Sequence, residues 1–444
     1  MRQVPILTAL QKNKSGFHDP SPHQKTGRRH KLNVCDDIIS PEPKPMSEKK
    51  SISNLFKLYF FLIFGALGTL ITYIPLHFKR LNFSGSQISL IQVLGSFALI
   101  VIAPKYGLLF DNAANKRNVL IISLLIMICS LGTIGYFQAF LPILLLWVIY
   151  RTVTGPLYSI SENLSYGVMT HQNSTFGAIR LWGSVGYALA TLAGGWTYQN
   201  FGLKANNLTF FVLMGLSVIV LLLMPAKAFE IEKDPLEKEL NLVGVFKLIL
   251  RNRFLLLMAL ALAISDPTQD GVRSFEPIFL ENLGLQASMI GLANMLSALT
   301  EVPFMIYADR VIQKIGIRQI ILFVFIFDIA RRLAVWLFPF TGVVFATSVM
   351  TSLSFTFRLV CSITLINLCL PKQVTSAANA FVGVTLFSLG YMLSNALGGM
   401  IYDTWGNQPI YLMGAAFSLI SLILALFAGE LAVAPKPKVQ NQAP

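Results

Sequence analysis

The stretch GGWTYQNFG, residues 194–202, recurs near the carboxyl end as GGMIYDTWG, residues 398–406. Both copies carry two glycines, a tyrosine, an aromatic residue and a final glycine at identical spacing, and the second lies 204 residues after the first. Pro75 and Ser86 likewise recur 202 residues later, as Pro277 and Ser288. A repeat of nearly half the chain's length predicts two similar halves in parallel orientation.

The composition of the chain is typical of a membrane protein. Of the 444 residues, 54% are hydrophobic and 13% are charged, whereas about 25% are charged in soluble proteins. From residue 55 onward, apolar stretches follow one another, each near the ~20 residues that a helix needs to cross a bilayer. We therefore predict an all-α membrane protein with about twelve transmembrane helices in two parallel-repeat six-helix bundles. The predicted spans are residues 55–77, 88–110, 118–139, 142–166, 175–198, 208–225, 254–280, 288–308, 319–339, 342–368, 376–401 and 409–429.

The placement of the basic residues predicts the orientation of the chain. Its formal net charge of +14 would also suit a protein that binds nucleic acid. However, twelve of the fifteen lysines and arginines in the connections between predicted spans lie in the even-numbered connections, and the odd-numbered ones hold Lys79, Arg80 and Lys204. Because cytoplasmic connections are enriched in basic residues, both termini are predicted to be cytoplasmic. The charge thus indicates topology in an inner or plasma membrane, and nucleic acid is not expected as a partner.

Polar segments surround the two predicted bundles. Residues 1–50 are rich in Lys, Arg, His, Pro and Ser and are predicted to form a disordered cytoplasmic tail. Two further interpretations stay open: Met46 is the natural start, or the tail binds acidic lipids. We expect bundles at residues 51–227 and 251–430, a cytoplasmic linker at 228–250, and a second cytoplasmic tail at 431–444.

The sequence lacks the patterns that mark an enzyme. It has no Gly-x-x-x-x-Gly-Lys-Ser/Thr loop, which argues against ATP hydrolysis by this chain. Its four cysteines show no metal-ligand spacing, and no nucleophile triad is apparent. We therefore predict neither an enzyme nor a bound metal or cofactor.

Two short patterns resemble the major facilitator superfamily. The loop after the second span is similar to that family's Gly-x-Leu-x-Asp…Arg loop, and it contains Gly107, Leu109, Asp111, Asn115, Lys116 and Arg117. The second half keeps Asp309, Arg310, Gly316 and Arg318, with Met305 at the place of the glycine. Arg151 and Gly155 resemble the Arg-x-x-x-Gly pattern of proton-coupled members.

This resemblance, which covers nearly all of the chain after residue 50, implies a monomeric secondary transporter that rocks its two halves about a central cavity. It implies a small-molecule substrate and protons as partners. The residues expected to take part in gating are Asp111, Arg117, Arg151, Asp309 and Arg310. For Arg151, a structural bond to helix carbonyls beside Gly155 stays open as the alternative.

A narrower resemblance concerns the fifth span. The stretch FGAIRLWGSVGY, residues 176–187, is similar to the fifth helix of the lactose permease branch, and Glu162 precedes Arg180 by the 18 residues found there. This implies that Glu162 and Arg180 contact the solute and that Tyr187 stacks on it. RLWGSVGY and Glu301-Val302-Pro303 also resemble phenylpropionate transporters, and nucleoside permeases are related. Sugars, nucleosides and aromatic or organic acids all stay open as cargo.

The repeat separates shared residues from residues of one half. Glu162 and Arg180 correspond to Ile366 and Val384 in the second half. Because an ionisable residue in a span is costly, each such residue needs a partner, a water-filled cavity or a function. The repeat therefore favours Glu162 and Arg180 as a solute site, and a salt bridge that closes the cytoplasmic side stays open as the alternative.

The seventh span carries acidic residues that the first span lacks. Asp266 and Asp270 correspond to Phe64 and Gly68, and lie on one face of a predicted helix. They are predicted to carry protons together with Glu301, unless Arg273 or an arginine of a neighbouring helix neutralises them. The lactose permease branch has His and an acid in the tenth span, where this chain has Thr351, Ser354 and Arg358, so its mechanism cannot be transferred there.

Arginines outnumber acids among the predicted buried charges. The acids are Glu162, Asp266, Asp270 and Glu301, and the arginines are Arg151, Arg180, Arg273, Arg331, Arg332 and Arg358. One of the adjacent Arg331 and Arg332 is expected to face the cavity, since neighbouring helical residues point about 100° apart; we assign Arg331 to the solute site. The surplus favours an anionic cargo, unless Arg273 or Arg358 extends to the membrane interface and so leaves the buried set.

Together these observations predict a proton-coupled symporter of a small organic solute. A proton-coupled exporter and a non-transporting membrane sensor with the same fold are the alternatives.

Overall fold

The computed structural model describes residues 46–169, 176–229, 242–371, 374–375, 378–379 and 381–429. Residues 1–45 and 431–444 of the predicted tails and 230–241 of the predicted linker lie outside these residues, whereas 46–50, which the sequence assigned to the first tail, begin the first helix, and 242–250 of the linker are helical. Within them the chain is helical and contains no β-strand, which confirms the predicted all-α class.

Sixteen α-helices make up the described chain. They are α1 (Met46–Leu70), α2 (Ile74–Arg80), α3 (Gly85–Asn112), α4 (Lys116–Ser130), α5 (Phe140–Met169), α6 (Phe176–Phe201), α7 (Leu203–Leu223), α8 (Leu242–Arg251), α9 (Arg253–Arg273), α10 (Glu276–Asn282), α11 (Ala287–Ile315), α12 (Ile317–Leu337), α13 (Thr341–Val349), α14 (Thr351–Cys369), α15 (Phe387–Trp405) and α16 (Gln408–Phe427). A 3₁₀ turn, Leu131–Tyr136, extends α4, and a π-helical turn, Phe381–Leu386, precedes α15.

Nine stretches of the described chain are long and apolar enough to cross a membrane. The remaining three predicted spans are the long helices α6, α9 with α10, and α12. Asp328, Arg331 and Arg332 interrupt the apolar sequence of α12. Their side chains are buried and belong to a network of ion pairs and hydrogen bonds that is described below. The nine stretches and three helices are therefore consistent with the twelve predicted spans.

The first helix of each bundle is broken at the same place. The chain turns between α1 and α2, and again between α9 and α10, where continuous spans were predicted. Pro75 and Pro277 lie in the first turn of the short helix that follows each break. A proline has no N–H to donate to the carbonyl four residues earlier, which accounts for the break. The repeated prolines thus mark a feature that both halves share.

Packing within each half follows the same plan. In the first half α1 packs on α6 and α7, and α3 packs on α5; in the second, α9 packs on α15 and α16, and α11 packs on α14. Arg117 Nη1 donates to the carbonyl of Leu222 at 3.3 Å, and Arg318 Nη2 donates to that of Leu426 at 3.3 Å. In each half an arginine at the start of the third span thus caps the last carbonyls of the sixth, as expected for cations near a helix C-terminus.

The tyrosine of each repeated motif supports the broken helix. The ring of Tyr198 stacks on Tyr73 at a centroid distance of 5.4 Å, and that of Tyr402 stacks on Phe275 at 5.1 Å. Tyr73 and Phe275 are themselves 202 residues apart and lie at the two breaks. The motif therefore fixes the geometry of α1–α2 and α9–α10.

The final glycine of each motif ends a helix. Gly202 and Gly406 have φ angles of 76° and 84°, in the left-handed region that favours glycine. Their N–H groups donate to the carbonyls of Tyr198 and Tyr402 at 2.9 and 3.1 Å. These turns bring the chain back at one end of the bundles, which we call the closed end. It carries the connections 81–84, 202, 283–286 and 406–407.

The second glycine of each motif lets the two bundles meet at the closed end. A Cβ atom on Gly195 would lie 2.6 Å from the carbonyl oxygen of Ala287, at the start of α11. A Cβ on Gly399 would collide with the Gly85 carbonyl and with Ser89, at the start of α3. The first contact joins α6 to α11, and the second joins α15 to α3. Each therefore joins the fifth span of one bundle to the second span of the other.

The residues after the tyrosines cap helices of the opposite bundle. Asp403 accepts hydrogen bonds from the backbone N–H groups of Gly85 and Ser86 at 2.5 and 2.8 Å, at the start of α3. Gln199, at the corresponding position, accepts from the N–H of Ser288 in the first turn of α11 at 3.4 Å. Helix N-termini carry unsatisfied N–H groups and partial positive charge, so Asp403 is the stronger cap.

Lys79 and Glu281 form a salt bridge across the same end. Lys79 Nζ lies 2.7 Å from Glu281 Oε2 and 2.6 Å from Asn282 Oδ1. Lys79 and Glu281 are repeat counterparts, 202 residues apart. Equivalent positions of the two halves therefore meet at the axis that relates them, and they have acquired opposite charges.

This pairing can be tested by charge exchange. Lys79→Glu or Glu281→Lys alone places like charges together. Each should destabilise the closed conformation relative to the open one by about 0.2–1 kcal/mol, the range for a partly exposed pair, and so raise the fraction of open molecules. The double exchange should restore closure. The measurement is the rate at which Ser274→Cys, beside the break in the C-terminal bundle, reacts with a membrane-impermeant maleimide. A double variant that reacts as fast as the single variants would contradict the pairing.

Candidate functional site

A cavity of about 150 Å³ lies between the two bundles, at the level of the broken helices. Both bundles contribute to its wall. The first contributes Ile71, Thr72, Ile74, Pro75, Gln92, Trp147, Tyr150, Arg151 and Tyr187, and the second contributes Arg273, Ser274, Glu276, Pro277, Leu280, Ile290, Ala293, Asn294 and Ser348.

Many of the lining residues are repeat counterparts of one another. Thr72 corresponds to Ser274, Pro75 to Pro277 and Gln92 to Asn294, each 202 residues apart. The cavity is therefore built around the axis that relates the halves, as expected for a transporter of parallel repeats. The charged exceptions are Arg273 and Glu276, which correspond to Ile71 and Ile74.

Aromatic side chains form one wall of the cavity. Tyr187, which the sequence assigned to the solute site, lies on α6, and its hydroxyl is 3.2 Å from Thr72 Oγ1. Trp147 and Tyr150 on α5, in the same bundle, also line the cavity. Flat, partly polar rings such as these suit one face of a sugar or of a nucleobase.

Three charged residues line the cavity. Glu276 Oε1 accepts hydrogen bonds from Ser348 at 3.0 Å and from Tyr411 at 3.4 Å, so protein groups already engage its charge. Arg151 Nε is buried and has no hydrogen-bond partner among the described residues. A Cβ on Gly95 would lie 2.8 Å from Arg151 Cγ, which shows that Gly95 makes room for the arginine. The side chain of Arg273 is exposed and lines the second-bundle side.

A buried ion-pair network lies within the second bundle, on α9, α12 and α14. Asp328 on α12 has a fully buried side chain and pairs with Arg358 of α14, whose own side chain is 2% exposed. Arg358 Nε also lies 3.1 Å from Asp266 Oδ1 on α9, and Tyr391 donates to Asp266 Oδ2 at 3.1 Å. Arg331 Nε lies 3.9 Å from Asp328 Oδ1. One guanidinium therefore bridges two carboxylates, and the Asp266 side chain, at 14% exposure, is the more accessible of them.

The adjacent arginines of α12 point to different neighbours. Arg332 donates to the carbonyl of Gly414 and, at 2.6 Å, to Ser418 Oγ on α16. Arg331 donates to the carbonyl of Thr347 at 3.5 Å and is 5% exposed. Both side chains are thus buried within the second bundle, and neither lines the cavity.

Asp328 was absent from the sequence-based set of candidate residues. It precedes Arg331 by three residues and Arg332 by four, a spacing that places oppositely charged side chains on one helix face. This spacing within an apolar span was the signal that could have identified it.

Other predicted site residues lie away from the cavity lining. Glu162 on α5 and Glu301 on α11 are half-buried, and neither lines the cavity. Arg180 lies on α6 and Asp270 on α9, and the side chains of both lie outside the described residues. Their roles stay predictions.

The predicted gating residues occupy the end opposite the closed end, except Arg151. Asp111, Asp309 and Arg310 are exposed there, and the Arg310 guanidinium carbon lies 5.7 Å from the ring centroid of Tyr307. Arg117 caps α7 within its own bundle, as described above. Arg151 instead lies at the cavity.

Comparison with known proteins identifies the family. Residues 54–413 match the model of the MFS_1 like family. This chain belongs to that family. It is therefore a transporter of the major facilitator type and a multi-pass membrane protein, as the resemblance implied, and not an enzyme.

Individual relatives of this major facilitator protein agree. The maltose permease of Geobacillus stearothermophilus is 26% identical over 384 residues, which are 85% of this chain and 94% of that protein. A mutant of the nucleoside transporter NupG has a TM-score of 0.74 at 15% identity, with 85% of this chain and 100% of that one covered. A bacterial homologue of the human lysosomal transporter Spinster, in an inward-facing and occupied conformation, has a TM-score of 0.69 at 13% identity over 86% and 97% of the two chains. The two solved structures support the fold.

The geometry of the ion-pair network predicts that replacing its two aspartates by asparagine lowers the stability of the protein by different amounts. Asp328→Asn leaves Arg358 and Arg331 without their fully buried counter-charge, and breaking such a pair costs about 3–5 kcal/mol. Asp266→Asn removes a partly exposed carboxylate while Arg358 keeps Asp328, so the loss should be smaller. We expect thermal unfolding in one detergent to rank the proteins wild type, Asp266→Asn, Asp328→Asn, from most to least stable. Equal unfolding temperatures for the two variants would contradict the assigned geometry.

Proposed function

We propose that this transporter is a proton-coupled symporter that imports an uncharged, hydroxylated organic solute of the saccharide class. The observation that carries the proposal is the cavity, which both bundles line with amides, hydroxyls and aromatic rings. Hydrogen-bonding groups beside flat rings match the polar edge and apolar face of a sugar. The relative with 26% identity, a maltose permease, supports the same class.

The charge balance supports an uncharged cargo rather than the anion favoured by the sequence. The sequence placed four acids against six arginines, whereas Asp328 and the cavity residue Glu276 raise the acids to six. Arg358 is neutralised by Asp266 and Asp328, and Arg332 bonds to α16. Over the whole buried set acids and arginines are therefore equal in number, and the surplus at the cavity itself is one arginine, with Arg151 and Arg273 against Glu276.

We assign the coupling proton to Asp266. Its side chain is partly exposed, and it shares Arg358 with the fully buried Asp328. Protonation of Asp266 would remove its attraction for Arg358 while Asp328 retains the guanidinium. The network thus offers two charge states that differ at one accessible carboxylate, which is what proton coupling requires.

The bundles at 51–227 and 251–430 would move as bodies during transport. In the observed state the helix caps, glycine contacts and Lys79–Glu281 bridge hold the closed end together. By the distribution of basic residues, this end faces away from the cytoplasm and both termini are cytoplasmic. We place the protein in the cell membrane as a monomer.

The cargo class can be tested by uptake into proteoliposomes with an inward proton gradient. Radiolabelled maltose, uridine and 3-phenylpropionate serve as probes, and accumulation of maltose above the other two is expected. Preferential uptake of 3-phenylpropionate would instead support an organic-acid transporter and contradict the proposal. Accumulation only under an outward proton gradient would indicate an exporter. Binding without flux would indicate a sensor.

Asp266→Asn tests the coupling. The variant should lose gradient-driven accumulation of maltose by tenfold or more, because the substituted amide cannot take up the proton. It should retain exchange of labelled for unlabelled maltose, which needs no net proton movement. Wild-type vesicles with the gradient collapsed by an ionophore provide the control. Gradient-driven accumulation at the wild-type level would remove Asp266 from the coupling step.

A further inference from the structure

We infer that Gln92 and Asn294 form a specificity-determining pair, one residue from each bundle, that hydrogen-bonds hydroxyl groups of the solute. The inference rests on the proposed function and adds residues to it that neither the sequence motifs nor the family resemblance indicated.

The two amides occupy equivalent positions in the two halves. Gln92 lies on α3 and Asn294 on α11, 202 residues apart, and both line the cavity. Each lies eight residues beyond the N-cap of its helix, Ser84 or Gln286, which is about 12 Å from the closed end at 1.5 Å per residue. The repeat therefore places a carboxamide at the same depth on either side of the cavity.

The amides retain unused hydrogen-bonding capacity. Gln92 makes no hydrogen bond within the described part of the chain. Asn294 Nδ2 donates to the carbonyl of Ile290 at 3.1 Å, and its Oδ1 has no partner among the same residues. A carboxamide offers both donors and acceptors, so it can bind two hydroxyl groups at once. Such groups at a solute cavity are normally satisfied by ligand or water.

Several neighbouring polar groups are already engaged by the protein, while Trp147 Nε1 is a single donor without a partner among the described residues. Glu276 accepts from Ser348 and Tyr411, Tyr187 is bonded to Thr72, and Ser274 Oγ donates to Asn395 Oδ1 at 2.9 Å. Asn395 lies on α15, outside the set of lining residues. Among the uncharged polar lining groups, the two amides thus have the most capacity left for a solute.

Their placement also connects binding with the movement of the bundles. At the closed end α3 contacts α15 and α6 contacts α11, so a rocking motion of one bundle on the other changes the separation of Gln92 from Asn294. A solute with hydroxyl groups at both ends can bind both amides in only part of the cycle. The pair would therefore select for solutes that bear hydroxyls on opposite sides.

The test measures exchange of radiolabelled maltose, with radiolabelled uridine as a second probe, in proteoliposomes of Gln92→Leu, Asn294→Leu and the double variant. Loss of about one hydrogen bond should raise KM about fivefold or more in each single variant, with maximal rate within about twofold. Asn294→Gln, which keeps the amide, should recover much of the affinity. Matched controls are Asn112→Leu on α3 and Gln313→Leu on α11, exposed amides away from the cavity.

The outcomes separate this inference from the proposed function. If the wild type exchanges maltose and the two leucine variants raise KM no more than their controls, or lower only the maximal rate, the amide pair is refuted while saccharide transport stands. If wild-type protein exchanges uridine but not maltose, the saccharide proposal fails, and a raised KM for uridine in both variants would still support the pair. Exchange of neither probe by the wild type rejects both.

Discussion

The structure depends on one constraint: within a bilayer, the backbone must satisfy its own hydrogen bonds. This constraint explains why the described chain is helical throughout its apolar stretches and why interruptions need a cause. The breaks at Pro75 and Pro277 are tolerated because they lie beside the cavity and are supported by the stacked rings of Tyr198 and Tyr402. These two breaks thus lie where a solute would bind.

The internal repeat explains both what the halves share and where they differ. The repeated glycines and the Asp403 and Gln199 caps make two similar contacts between the bundles at the closed end. Lys79 and Glu281 are repeat counterparts that meet near the axis relating the two halves. Because they differ in charge, they form a salt bridge between the bundles. Positions that both halves share can therefore also belong to functional regions. Gln92 and its counterpart Asn294 both line the cavity. Tyr187 lines the cavity too, and its counterpart Tyr391 donates a hydrogen bond to Asp266 in the buried network.

Buried charge is concentrated in the second bundle. Asp266, Asp328, Arg331, Arg332 and Arg358 lie on three helices, α9, α12 and α14, and each unpaired charge there would carry a large desolvation cost. The shared guanidinium of Arg358 offsets part of that cost for Asp266 and Asp328. It also makes the two carboxylates interdependent, because a proton on one changes the field at the other.

The sequence by itself determined the helical class, the membrane-spanning character and the internal repeat, since these follow from hydropathy and spacing along the chain. It identified Asp266, Tyr187 and Arg358 as residues of interest and noted that an arginine from another helix could neutralise Asp266. Only the tertiary structure decided that this arginine is Arg358, that Asp328 shares it, that Arg331 is buried away from the cavity and that Gln92 faces the same cavity as Asn294. The reason is that helix rotation and the contacts between helices distant in sequence set these partners, and one-dimensional periodicity gives the face of a helix without specifying what lies opposite it.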